Sequence, residues 1–168
     1  MDTFYEQLIK IKLNGKAKGL IAAIIGADLL LTAGLVFFAF VLLGSLPLTL
    51  LIVGFAIFGA YKLLSLLSVE IEYAFTNGDL DFDKITAKST RKRMASIKCA
   101  TVEKFAEYKG QEAPGSVKEK LVLCNPDSEG QVYLIGQDRN LGTVMIVFAP
   151  DERIREAVEK AVPRIAKS

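Results

Sequence analysis

Histidine is absent from the 168 residues, and cysteine occurs only as Cys99 and Cys124. Without imidazole, neither a Ser-His-Asp nor a Cys-His device can be assembled, and a zinc site would need other ligands. In a cytoplasmic domain the two cysteines read as small buried residues, although they could pair if close in space. An excess of one charge sign is also missing. From Ser68 onward, acidic and basic residues number 16 each. A nucleic-acid binder would carry a basic surplus, so no nucleic-acid partner is expected. Nor does the sequence show a phosphate-cradling glycine loop or a nucleophile–base pair, so no enzyme, catalytic residue or cofactor is expected.

Between Leu20 and Leu67 it is charge that is scarce. The only ionisable side chains there are Asp28, Tyr61 and Lys62. Two apolar runs, Leu20–Leu43 and Leu46–Leu67, are separated by Gly44-Ser45, with Pro47 nearby. At ~1.5 Å per residue, each is long enough to cross a hydrocarbon core of ~30 Å as a helix. The expected form is a transmembrane helical hairpin over residues 19–67. Lys10, Lys12, Lys16 and Lys18 precede the first run, and Lys84, Lys88, Arg91, Lys92 and Arg93 follow the second. The connection between the runs is uncharged. Positive residues stay inside, so both termini should be cytoplasmic. The start of the chain does not read as a cleaved signal peptide, because Asp2 and Glu6 occupy what should be a positive region.

Asp28 and Lys62 are equidistant from position 45, so an antiparallel hairpin places them at similar depth. An ion pair between them would relieve the cost of a lone intramembrane charge. Alternatively, Lys62 snorkels to the surface while Asp28 is protonated or meets another subunit. Small residues at Ala22/Gly26 and Ala23/Ala27 permit close helix contact and would suit a homo-oligomer. Ahead of the hairpin, Thr3-x-x-Glu6 matches a capping box, and Phe4, Leu8 and Ile11 follow at helical spacing. Residues 1–18 are therefore expected to hold a short amphipathic helix at the membrane interface, with a break at Asn14-Gly15, or else a frayed terminus.

The remainder, residues 68–168, reads as a cytoplasmic domain. Val69–Thr76 alternates, with Ile71, Tyr73 and Phe75 on one face and Glu70, Glu72 and Ala74 on the other. Asn77-Gly78 is a favoured two-residue hairpin turn, and Leu80 and Phe82 resume the apolar face. Asp79-x-Asp81-x-Asp83 spaces carboxylates like a calcium loop, but lacks the glycine and distal glutamate such a loop needs. Alternation alone explains the spacing, and no metal site is expected. A third strand begins near Arg91-Lys92-Arg93, and a short helical turn is expected around Val102, Phe105 and Tyr108. Further strands fall at Lys120–Cys124, Gln131–Gly136 and Gly142–Ala149. A last helix opens at Pro150-Asp151-Glu152, with a stripe of Ile154, Val158, Ala161, Val162 and Ile165, and Pro163 loosens its end.

About six antiparallel strands closed by one helix make an α+β fold, a small sheet or partial barrel. That order resembles the pleckstrin-homology-like (PH-like) fold. Glu72-Tyr73, Thr76-Asn77-Gly78-Asp79-Leu80-Asp81, Asp83-Lys84-Ile85, Lys88 and Arg91-Lys92-Arg93, with Met1–Glu6, resemble a family of small bacterial two-helix membrane proteins. The resemblance implies architecture and a place in the bacterial cell membrane, and leaves the activity open. Three roles fit. The first is a membrane-anchored, non-enzymatic interaction module with a protein partner. A second is recognition of anionic lipid headgroups through Lys84, Arg91, Lys92 and Arg93. The third is a small subunit of a larger membrane assembly. For the lipid role, the competing expectation is that this basic cluster pairs with Asp79, Asp81 or Asp83.

Overall fold

The computed structural model describes residues 3–42 and 44–167. Met1, Asp2 and Leu43, named above, lie outside the described residues. The chain divides into two compact units that interleave in sequence. One comprises residues 3–11, 69–85 and 89–167, and the other residues 12–68 and 86–88.

The helical unit begins where Asn14 caps its first helix, its side-chain oxygen accepting from the Ala17 N–H at 2.8 Å. This helix, α1, runs Gly15–Phe37 and passes into a π-helical turn, Phe38–Leu42; α2 runs Leu46–Leu66. Spans of 27 and 21 residues are long and apolar enough to cross a membrane. The two helices pack against each other. Ile21, Ile24, Asp28, Thr32 and Val36 form the half-buried stripe of α1, ending at the fully buried Ala39.

The first surprise is Phe4–Lys10. It is a strand, β1, rather than the expected interfacial helix, and it pairs antiparallel with β2 (Val69–Thr76) from Phe4↔Thr76 to Lys10↔Glu70. Seven residues with aromatic and branched side chains satisfy a helical and a two-residue period equally well. An isolated helix of that length is marginal, whereas a strand has a full-length partner here. Tyr5, Gln7 and Ile9 turn inward and are half-buried, while Phe4, Glu6, Leu8 and Lys10 turn outward. The apolar hairpin is therefore an insertion between two paired strands, and its ends meet in a hydrogen bond from Ile11 N–H to Val69 O of 3.0 Å.

β2 turns into β3 (Asp79–Thr86) through Asn77-Gly78, whose φ angles of 49° and 95° are what a primed turn requires. Then come β4 (Thr90–Lys98), a 3-10 turn at Cys99–Thr101, β5 (Lys104–Glu107), β6 (Glu119–Val122), β7 (Val132–Asp138), β8 (Gly142–Phe148) and α3 (Glu152–Ala161). Strand order is β1-β2-β3-β4-β7-β8-β6, with β5 also paired to β7. β6 joins β8 in parallel, which departs from the all-antiparallel expectation. Phe105 lies in β5 instead of a helical turn, because Phe105↔Leu134 is part of a four-residue ladder.

The four apolar side chains expected to face one another across the β2–β3 hairpin are all buried. Tyr73, Phe82 and Phe148 meet edge to face, with centroids 5.2–5.6 Å apart. Ile154, Ala157 and Val158 of α3 close this core, and Asp151 caps the helix by accepting from Ile154 N–H at 2.9 Å. Ile165 leaves the stripe and is 97% exposed, since the helix has ended ahead of Pro163.

Asp138 and the turn between β3 and β4 support direct tests. Asp138, buried at the end of β7, accepts from the backbone N–H groups of Ser96 (2.8 Å), Asn140 (2.7 Å) and Leu141 (2.9 Å). Burial pushes this carboxyl up, but the three donors outweigh it and hold the pKa below the usual carboxylate range. Its stabilisation is full above the ordinary carboxylate pKa of about 4 and disappears as pH falls through the lower folded-state value. Asp138→Asn sets an amide N–H₂ against the Ser96 N–H. It should cost about 1.5–3 kcal/mol near neutral pH in chemical denaturation, and less in acid. Equal destabilisation at both pH values would refute the charge-based account.

The turn between β3 and β4 places Ala87 and Lys88 at φ angles of 55° and 56°, a left-handed conformation that side chains disfavour. Either residue changed to glycine should raise stability by about 1 kcal/mol, read as a shifted denaturation midpoint at constant slope.

Candidate functional site

The outer face of β2–β4 carries a ladder of charge. Glu70, Glu72 and Asp83 are buried there although they are carboxylates. Arg91 pairs with Glu72 and stands 3.9 Å from Asp83, while Arg93 pairs with Asp83 and reaches Asp81 at 2.7 Å. Ser96 Oγ donates to Asp81 at 2.6 Å. Donating hydrogen bonds to Asp83 raises the Arg93 pKa further, so this guanidinium is permanently charged. Two of the four cations proposed for lipid contact are thus committed within the sheet. Of the others, Lys84 is half-buried, and Lys92 is exposed with no ion pair among the described residues. Asp81 and Asp83 of the calcium-like spacing are used in the same ladder, and among the described residues no acidic or cysteine group could hold a metal.

Asp28 and Lys62 are not brought together: no ion pair joins them among the described residues. Asp28 lies on the half-buried stripe of α1, whereas Lys62 is exposed, its Nζ 5.8 Å from the Phe58 ring centroid one turn back. Ala22, Ala23, Gly26 and Ala27 are all exposed.

Cys99 and Cys124 are free and buried. Burial pushes the Cys99 thiol up to about 12, and the Cys124 thiol is also raised by burial. Both are therefore protonated and unreactive at neutral pH.

Two grooves flank α3. The first, about 590 Å³, has Tyr5, Phe75, Ala157 and Ala161 as its apolar lining, and a rim where Lys160 pairs with Glu156 at 3.0 Å. The second, about 470 Å³, runs between β5 and α3 and is edged by Lys104, Lys109, Arg155 and Lys167 against Glu107 and Glu159. The sequence offered little signal for either. β1 was hidden in a doubly periodic segment, and β5 has four residues whose partner strand begins 25 positions later.

Residues 1–168 match the family model described as bacterial PH-like domain (DUF6106). Among curated proteins and among solved structures, none matches the chain.

Proposed function

We propose, for a chain that belongs to the bacterial PH-like domain family, the role of a membrane-anchored, non-enzymatic interaction module at the cytoplasmic face of the cell membrane. One observation carries this reading. Two helices of membrane-crossing length leave the sheet after β1 and return to it at β2, with Ile11 and Val69 hydrogen-bonded at the junction. An anchor fastened at both ends within a strand pair holds the domain at the bilayer surface. The α3 grooves offer surfaces for a partner. The raised thiols of Cys99 and Cys124 and the lack of histidine suit binding better than catalysis.

Substituted-cysteine labelling tests the topology. In intact spheroplasts, Ser45→Cys should react with a membrane-impermeant maleimide, while Ser116→Cys, on an exposed loop, should react only after lysis. The reverse pattern, or extraction of the chain by alkaline carbonate, would overturn the anchored cytoplasmic reading.

A further inference from the structure

Two opposite charges in the helical hairpin share a depth and do not meet within the chain. Asp28 and Lys62 are equidistant from Ser45, so antiparallel helices carry them to the same level. The Asp28 carboxylate has no hydrogen-bond or ion-pair partner among the described residues. Lys18, the nearest cation on α1, is about 15 Å away along the helix axis. The Lys62 ammonium lies 5.8 Å from the Phe58 ring centroid and has no carboxylate partner among the described residues.

The two groups differ in reach. A lysine carries its ammonium away from the helix on a long apolar stem, whereas an aspartate stays at the depth of its own backbone. A lone carboxylate at that depth is costly, so a cation has to be brought to it. Asp28 is only half-buried, and its side of α1 stays open to a group from outside the chain. On α2, Gly59 precedes Lys62 by one turn, and a Cβ there would meet nothing of the rest of the chain within 4 Å. This glycine makes room that the hairpin itself does not fill, next to the unpaired cation.

We propose that the chain forms a two-fold homodimer in the membrane, in which Asp28 of each copy pairs with Lys62 of the other. This rests on the membrane-anchored reading and names a second copy of the chain as the partner of its helical unit. A two-fold axis along the membrane normal relates chains inserted in the same direction and leaves every residue at its own depth. A contact between two unlike positions then forms twice, and only positions at one depth can make it. Asp28 and Lys62 meet that condition with opposite charges, so one hairpin surface is complementary to its own copy.

The test uses the full chain in liposomes of zwitterionic lipid, with donor or acceptor dye on an exposed Ser116→Cys, Cys99 and Cys124 being buried. Energy transfer between copies should persist as lipid is added in excess. Asp28→Asn or Lys62→Gln should weaken association about tenfold, since each removes two pairs from the dimer. Charge reversal then separates pairing between chains from pairing within one. Asp28→Lys alone and Lys62→Asp alone should each fail to self-associate, because like charges meet twice. Mixed, they should associate as the natural chain does, because every lysine then faces an aspartate. A pair within one chain gives no such rescue. A milder variant covers the case in which a reversed charge blocks insertion. Oxidation of a mixture of Asp28→Cys and Lys62→Cys chains should yield a disulfide-linked heterodimer, which keeps one Asp28–Lys62 pair. Absence of energy transfer in the natural chain, of rescue between inserted variants, or of the 28–62 cross-link would each overturn the proposal. Alkaline carbonate separates this failure from the broader one. Chains that resist extraction yet stay monomeric would remove the dimer and keep the anchor, whereas extracted chains would remove both.

Discussion

Replacing residues 12–68 with a short flexible turn will leave a folded, water-soluble sheet domain, while a chain starting at residue 69 will not fold. The junction predicts the first result: Ile11 N–H and Val69 O lie 3.0 Å apart, so a few residues suffice to close β1 onto β2 as an ordinary hairpin. The second follows from what β1 contributes. It pairs over seven residues, covers the core with Tyr5 and Ile9, and ties the end of β8 through Gln7, which donates to Ala149 O and accepts from Asp151 N–H at 2.7 Å. Losing a ladder of that length and two apolar side chains costs on the order of 5 kcal/mol, comparable to the whole stability of a small domain. Thermal melts followed by near-ultraviolet circular dichroism, with size-exclusion chromatography, distinguish the cases. A cooperative, monomeric melt from residues 69–168 alone would show that β1 is dispensable.

The second large effect is expected from Arg91→Ala/Arg93→Ala. These guanidinium groups are about half exposed, yet they neutralise Glu72 and Asp83, whose side chains are 5% and 4% exposed. Removing both cations leaves two carboxylates buried without partners. The expected loss is about 3 kcal/mol, at the lower end of what breaking a buried pair costs because solvent reaches the arginine side. Denaturant titrations at neutral pH provide the check, and an unchanged midpoint would refute the ladder's role. Lipid binding lost in this variant would therefore report unfolding before it reported headgroup contact. Lys92→Ala, which touches no carboxylate among the described residues, is the informative substitution for that question.

Three local signals in the sequence carry through to the structure. Asn77-Gly78 set the β2–β3 hairpin, because both residues accept positive φ and the flanking alternation admits one register. The apolar runs specified two long helices by length alone, and Asn14 marked the first one's start. The bacterial PH-like assignment likewise spans the whole chain. What stayed hidden depended on partners distant in sequence. β1 finds β2 across the inserted hairpin, and β5 is defined only by β7. The depth of Asp28 and Lys62 could be counted along the helices, but their azimuths depend on how α1 and α2 pack. Arg91–Arg93 announced a cationic cluster, yet which carboxylates each would meet was fixed by sheet register rather than by composition.

The interrupted strand pair also imposes a parity rule on biogenesis. During synthesis β1 emerges first and must wait through both apolar helices before β2 exists to receive it. With the helices in the bilayer as proposed, only an even number of crossings returns the chain to the side where β1 was left. A chain that inserts one helix and not the other strands the two halves of the ladder on opposite faces of the membrane. The sheet therefore cannot be completed on a chain that has inserted one helix alone, and such a chain leaves both strand edges unpaired.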